Sequence, residues 1–125
     1  MALASTHREL KVYIKAFDAS MNIYQCSKSF PKEEIYSLTD QIRRSPRSVS
    51  ANIAEAFRRR KYPKSFISKL NECEAEAAET QNWLDYALEY HFISDKIHKE
   101  IDNEYNDIIA MLIKMRLHAD SWKID

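Results

Sequence analysis

Residues 35–57, IYSLTDQIRRSPRSVSANIAEAF, carry the clearest structural pattern of the chain. Apolar and small side chains recur there at steps of three and four, which is the spacing of one α-helical face. Pro46 lies inside this stripe, and an interior proline costs a straight helix about 3 kcal/mol. We expect either a helix kinked near Ser45 or two abutting helices with Ser45 as the second N-cap, and continuity of the stripe favours the kink. The stripe comprises Ile35, Leu38, Ile42, Ser45, Val49, Ile53, Ala56 and Phe57.

A helix is also predicted before this segment. Its start matches a capping box, in which Thr6 caps the helix and Glu9 reaches back. It should end before Phe30 and Pro31, because proline disfavours helix at the preceding residue. Pro31 then suits the first turn of the second helix, followed by two glutamates. The expected inward stripe of the first helix is Leu10, Tyr13, Phe17, Ser20, Tyr24 and Ser27, widened by Val12, Ala16, Ala19 and Ile23.

Two more helices are predicted after the connection from Arg58 to Pro63. The third carries an apolar stripe from Phe66 to Leu88, and the fourth begins at the N-cap Ser94 and continues to Met115. No stretch alternates convincingly with a period of two, so no strand is predicted. The sequence therefore predicts an all-α fold: one domain, residues 1–125, forming an antiparallel up-down-up-down four-helix bundle.

Composition excludes several classes of protein. None of the 125 residues is glycine, although a share of roughly 7% is usual. Phosphate-binding loops, dinucleotide-binding turns, nucleophile elbows and EF-hand loops all need glycine and are therefore absent. Cys26 and Cys73 match no zinc spacing or disulfide framework, which indicates reduced thiols in a cytoplasmic protein. No apolar run is long enough to cross a membrane, and no secretory signal is evident, so we expect no membrane association.

Residues 41–56, QIRRSPRSVSANIAEA, resemble the signature of the bacterial four-helix-bundle proteins related to the protein encoded in 23S rRNA intervening sequences. The flanking patterns Phe30-Pro31-x-x-Glu34-x-Tyr36-x-Leu38 and Glu76-Ala77-x-Glu79-Thr80-x-x-Trp83-Leu84 extend the resemblance to about residues 8–117. The chain departs from many members of that family at Ala56, where they have glycine, and at Asn71-Glu72, where they have small residues.

The resemblance implies a non-enzymatic bundle that assembles into a homo-oligomeric ring, often a homopentamer. A similar bundle is the accessory protein of diversity-generating retroelements, which associates with a reverse transcriptase and nucleic acid. We therefore expect a homo-oligomer, with RNA or DNA as a partner and a protein such as a reverse transcriptase as another.

Basic residues concentrate between Gln41 and Lys64, where Glu55 is the single acid. Because the whole chain is neutral, the remainder carries the balancing negative charge. Arginine suits phosphate binding, with Tyr62 and Phe57 as stacking surfaces for bases. Two other readings remain open: a solvated helix end, or contacts with the acidic third helix, Glu72 to Glu79, of a neighbouring chain. The candidate nucleic-acid-binding residues are Arg43, Arg44, Arg47, Arg58, Arg59, Arg60, Lys61 and Lys64.

Ser48, Asn52 and Glu55 share one helical face, and we interpret them as a structural polar motif rather than a catalytic one. No histidine lies near them in the sequence to act as a base. Di-iron bundles need Glu-x-x-His on two helices, whereas this chain offers just the aspartate variant Asp95-x-x-His98. We therefore expect no catalytic residues, no metal, no cofactor and no enzymatic activity.

Overall fold

The computed structural model describes residues 4–123, and all regular structure in that range is helical. The main helices are α1 (Lys11–Ser27), α2 (Leu38–Arg58), α3 (Pro63–Glu89) and α4 (Asp95–Leu117), followed by the single-turn α5 (Ala119–Trp122). Two 3₁₀ turns, His7–Glu9 and Lys32–Glu34, precede α1 and α2. The prediction of an all-α protein with four main helices and no strand is confirmed for the described residues.

The buried face of α1 lies within the predicted stripe and is narrower than it. Its core side chains are Val12, Ala16, Ala19, Ile23 and Ser27. Of the other predicted members of the stripe, Tyr13 packs partly buried against the core, whereas Phe17 is 48% exposed. Two alanines in the buried face allow the neighbouring helices to approach α1 closely, which bulky rings would prevent. The prediction that Val12, Ala16, Ala19, Ile23 and Ser27 belong to the inward stripe is confirmed, and its extension to Phe17 is wrong.

Helix α2 runs through Pro46 without interruption, so the alternative of two abutting helices is wrong. Ser45 and Pro46 are both buried within it. The helix begins at Leu38 rather than at Pro31, because residues 32–34 form a separate 3₁₀ turn. The Glu34 carboxylate accepts a hydrogen bond from the Leu38 backbone N–H at 3.1 Å and so caps the start of α2.

The ends of the other helices show which predicted caps form. Ser94 caps α4 as predicted, because its Oγ accepts a hydrogen bond from the Ile97 N–H at 3.2 Å. The capping box at Thr6 does not form, because the Glu9 carboxylate instead accepts hydrogen bonds from the backbone N–H and hydroxyl of Ser5. These bonds lower the pKa of Glu9.

His91 occupies the position after α3 that glycine usually takes. Its φ is 63°, in the left-handed region that a Cβ disfavours. The His91 N–H donates to the Leu88 carbonyl at 2.9 Å, and the Phe92 N–H donates to the Ala87 carbonyl at 2.8 Å. These two bonds form a Schellman motif, which satisfies the last carbonyls of α3. A chain without glycine therefore builds this turn with a strained histidine.

One buried polar contact joins α2 to α3. The hydroxyl oxygens of Thr80 and Ser45 are 2.8 Å apart, and both residues are buried. Thr80 is also 2.9 Å from the Glu76 backbone carbonyl. By contrast, the buried hydroxyls of Thr39 and Tyr105 have no hydrogen-bond partner among residues 4–123. The two threonines therefore form a natural comparison between a satisfied and an unsatisfied buried hydroxyl.

We predict that Thr80→Val lowers the free energy of unfolding by about 1–3 kcal/mol, because it leaves the buried Ser45 hydroxyl without its partner. Thr39→Val is the matched control and should be neutral or stabilising, because it removes a hydroxyl that is already unpaired. Urea denaturation followed by circular dichroism measures both. Equal destabilisation by the two variants would contradict this role for the Ser45 contact.

We also predict that His91→Gly raises the free energy of unfolding by about 1 kcal/mol, because glycine adopts the left-handed conformation without strain. The same denaturation experiment measures the change. His91→Ala is the control, since alanine keeps the Cβ and should give no comparable gain. A loss of stability in His91→Gly would show that the histidine side chain itself stabilises the turn.

Candidate nucleic-acid interface

The arginines of α2 are held at the surface by burial of the opposite side of the helix. Ile42, Val49 and Ile53 lie on the buried face and are almost fully enclosed. Arg44 and Arg47 lie on the outer faces and are exposed. Because the helical period fixes these faces relative to one another, packing of the core obliges the arginines to face solvent.

Seven of the eight predicted cations form two groups rather than one continuous patch. The first, here the α2 cluster, comprises Arg43, Arg44 and Arg47. The second, here the turn cluster, comprises Arg58, Arg59, Lys61 and Lys64, at the end of α2, in the turn and at the start of α3. Arg44 and Arg58 are fourteen helical residues apart, which corresponds to about 21 Å along the axis.

Arg60 does not belong to either cluster, and its assignment as a nucleic-acid-binding residue is corrected. The side chain is 7% exposed, and its guanidinium carbon lies 3.6 Å from the centroid of the Phe57 ring. Its Nε donates a hydrogen bond to the Phe57 carbonyl at 2.7 Å. Phe57 is itself buried, so the prediction that its ring stacks on bases is wrong. Tyr62 remains a stacking candidate, because it is 61% exposed.

Arg43 and Arg44 are placed differently from each other. Arg43 is half-buried between α1 and α2, where its Nε donates to the Ser27 hydroxyl at 2.7 Å and its guanidinium covers the Tyr24 ring. Arg44 is exposed. Burial raises the pKa of Glu76 on α3, with a further contribution from Glu79, and the charge of Arg44 acts in the opposite direction.

Most cations of the two clusters have no anionic partner. Among residues 4–123, no ion pair involves Arg44, Arg47, Arg58, Arg59, Lys61 or Lys64. The charge of Arg58 also acts on a neighbouring histidine. Burial lowers the pKa of His7, and the positive charges of Arg8 and Arg58 lower it further. Among the described residues, the protein thus presents positive charge that forms no ion pair along α2 and around the following turn.

Ser48, Asn52 and Glu55 meet on the side of α2 that faces Lys69 of α3. Asn52 Nδ2 donates to Ser48 Oγ at 3.2 Å, and Lys69 Nζ donates to Asn52 Oδ1 at 3.4 Å. Lys69 also forms ion pairs with Glu55 at 2.9 Å and with Glu72 at 2.8 Å. The hydrogen bond and charge of Lys69 lower the pKa of Glu55. Sequence reasoning missed the role of Lys69 in this motif, because Glu55 and Asn52 lie 14 and 17 residues earlier, on another helix.

The remaining chemistry of the described residues is sparse. Cys26 and Cys73 are free thiols, and burial raises the pKa of Cys73 to about 12, so this thiol is a poor nucleophile. None of the helices within residues 4–123 has the length and apolar character needed to cross a bilayer. The geometry defines a helical bundle whose distinctive surface is basic.

Comparison with known proteins identifies the family. The model of the 23S rRNA-intervening sequence protein family matches residues 8–114, and the chain belongs to that family. Among solved structures, the chain is similar to a protein of unknown function from the S23 ribosomal protein family of Bacteroides thetaiotaomicron. The two are 29% identical, with a TM-score of 0.76, and the match covers 84% of this chain and 97% of the other. No curated protein matches significantly.

We predict that Lys69→Met weakens the acid dependence of stability. Because Glu55 has a lower pKa in the folded protein than its usual 4.5, it contributes stability that is present above pH 4.5 and lost as the pH falls through the folded value. Without Lys69, the difference in unfolding free energy between neutral and acidic pH should shrink. Lys64→Met, which removes a cation that has no ion pair, is the control. If the pH dependence of the unfolding free energy is the same in Lys69→Met as in the wild type, Lys69 is not the group that lowers the pKa of Glu55.

Proposed function

We propose that this protein binds nucleic acid without catalysing a reaction, through the exposed members of the α2 cluster and the turn cluster. The observation that carries the proposal is the set of six exposed cations without ion pairs in a chain of zero net charge. Like charges placed together repel, so a folded chain gains from a polyanion that neutralises them.

The type of cation favours phosphate as the group recognised. Four of the six are arginines, whose planar guanidinium donates two parallel hydrogen bonds to a phosphate. Glu55, the one acid in this segment, forms its ion pair with Lys69 rather than with a cation of either cluster, although the charge of Arg59 also acts on it. The exposed ring of Tyr62 adds a surface on which a base can stack.

The separation of the two clusters suggests a ligand that extends along α2. The axial distance of about 21 Å corresponds to about six phosphate repeats of one strand in a duplex. A free phosphate or a mononucleotide would reach a single cluster. The description of the family as a 23S rRNA-intervening sequence protein is consistent with a nucleic-acid partner and favours RNA as the first probe.

We further propose that the four helices run up-down-up-down and that the protein self-associates into a ring, a pentamer by resemblance. The antiparallel order of α3 and α4 is supported by two contacts, Gln81 with Asn106 and Asp85 with His98.

Self-association is supported by Ile14, Phe17 and Met21, which form an exposed apolar row on α1. Phe17 and Met21 line a groove of about 380 Å³ whose opposite wall includes Arg47.

A ring needs two different surfaces that fit each other, because each copy contacts its two neighbours through opposite sides. The second surface is an aromatic cleft of about 330 Å³ between the start of α2 and the end of α3, lined by Tyr36, Trp83, Tyr86 and Tyr90. Tyr36 is 94% exposed. We place the α1 row of one copy against this aromatic cleft of the next. An assembly module with no nucleic-acid role remains the alternative function, supported by the same two surfaces.

The test of nucleic-acid binding is a filter-binding titration with a single-stranded RNA of about 20 nucleotides at several salt concentrations. The triple variant Arg58→Gln, Arg59→Gln, Lys61→Gln should bind more weakly and reduce the slope of log affinity against log salt by roughly two to three. The matched control is Lys32→Gln, Lys99→Gln, Lys123→Gln, which removes three exposed lysines outside both clusters. If the two triple variants retain equal amounts of RNA on the filter at every salt concentration, the proposal is overturned.

The test of assembly is sedimentation velocity. Phe17→Glu and Tyr86→Glu should each shift the protein from oligomer to monomer, because each places a charge in one of the two apolar surfaces. Leu117→Glu is the control, since Leu117 is an exposed apolar residue outside both surfaces. A monomeric wild type, or an oligomer that survives both substitutions, would contradict the proposed ring.

A further inference from the structure

Three potential metal ligands converge where α3 and α4 pack together. Asp85 comes from α3, and His98 and Asp102 come from adjacent turns of α4. His98 Nε2 is 2.9 Å from Asp85 Oδ1, and one ligand atom from each of the three residues lies within 4.8 Å of the other two. The cluster is separate from the α2 cluster and the turn cluster, and it borders the aromatic cleft, because Asp85 lines a neighbouring groove together with Tyr86.

The electrostatics of this cluster are unbalanced. Among residues 4–123, no lysine or arginine forms an ion pair with either aspartate. Within the same range, the Asp102 carboxylate accepts no hydrogen bond from any side chain, although it is partly buried. Two carboxylates this close together repel each other, and among residues 4–123 His98 is the one side chain that contacts either of them.

The distances between the three ligand atoms fit a single metal ion. A tetrahedral Zn²⁺ with bonds near 2.1 Å separates its ligand atoms by about 3.4 Å. The observed separations, from 2.9 Å to an upper limit of 4.8 Å, bracket that value. Small side-chain rotations, without movement of either helix, would bring all three donors to bonding distance.

We propose that Asp85, His98 and Asp102 form a binding site for a divalent transition-metal ion such as Zn²⁺, which clips α3 to α4. The imidazole selects a transition metal, because Mg²⁺ and Ca²⁺ prefer oxygen ligands throughout. Water completes the coordination, since the Asp85 side chain is 67% exposed while that of His98 is 17% exposed. The role is structural, and the bound ion adds its binding free energy to the stability of the bundle.

Sequence reasoning missed this site because it sought a Glu-x-x-His pattern. His98 and Asp102 instead have the i, i+4 spacing that places two ligands on one helical face. Asp85 precedes His98 by thirteen residues, and the turn at His91 brings the two helices together. The useful signal was a histidine and an aspartate four residues apart, together with an aspartate near the end of the preceding helix.

Isothermal titration of the tag-free full chain with ZnCl₂ tests the proposal. The wild type should bind one Zn²⁺ per chain, and His98→Ala should weaken binding by at least about tenfold, the loss typical even of residues that only support a ligand. His118→Ala is the control, since His118 is an exposed histidine outside the cluster. Its affinity should equal that of the wild type.

A second variant separates loss of a ligand from loss of the fold. Asp102→Asn preserves the size of the side chain, and circular dichroism verifies that each variant is helical. It should also weaken Zn²⁺ binding at least about tenfold, so it provides the same test if His98→Ala does not fold. Absence of saturable binding by the wild type, or equal affinity of Asp102→Asn and wild type, would overturn the site. Displacement of Zn²⁺ by equimolar Mg²⁺ would overturn the assignment of His98 as a ligand.

Discussion

Burial of one face of α2 against the rest of the bundle is the constraint on which the other features depend. Ile42, Val49 and Ile53 are enclosed almost completely. At about 25 cal/mol per Å² of apolar surface, each such side chain stabilises the fold by roughly 1.5–3 kcal/mol. No arginine of the same helix can enter that face without losing this stabilisation, so Arg44, Arg47 and Arg58 remain at the surface.

The contacts beside that buried face set the position of α2 relative to α3. The Ser45 and Thr80 hydroxyls meet inside the core, and Lys69 reaches from α3 to Glu55 and Asn52 at its edge. These polar contacts have directional requirements that apolar packing lacks, so they favour one register of the two helices. The Lys69 contact also neutralises the single acid among the arginines, which links the packing of the helices to the charge of the surface.

The sequence predicted the four main helices, the continuity of the stripe through Pro46 and the cap at Ser94, because periodicity and capping are local properties. In α1 it included every buried side chain but also Phe17, which lies outside the core, because apolar side chains occupy two faces and periodicity alone cannot choose between them. The burial of Arg60 could not be predicted from the sequence, because it depends on contacts of the guanidinium with the Phe57 ring and carbonyl in three dimensions. The juxtaposition of Asp85 with His98 likewise depends on the turn between α3 and α4.

Photochemical cross-linking of a 4-thiouridine RNA to the wild-type protein, with adducts mapped by mass spectrometry, tests the central claim most directly. An interface along the outer face of α2 predicts adducts in peptides that span residues 44–64, including Tyr62. These adducts should disappear at high salt, because the contacts are made to phosphates. Adducts confined to α4, or adducts that persist at high salt, would contradict an arginine surface that binds nucleic acid.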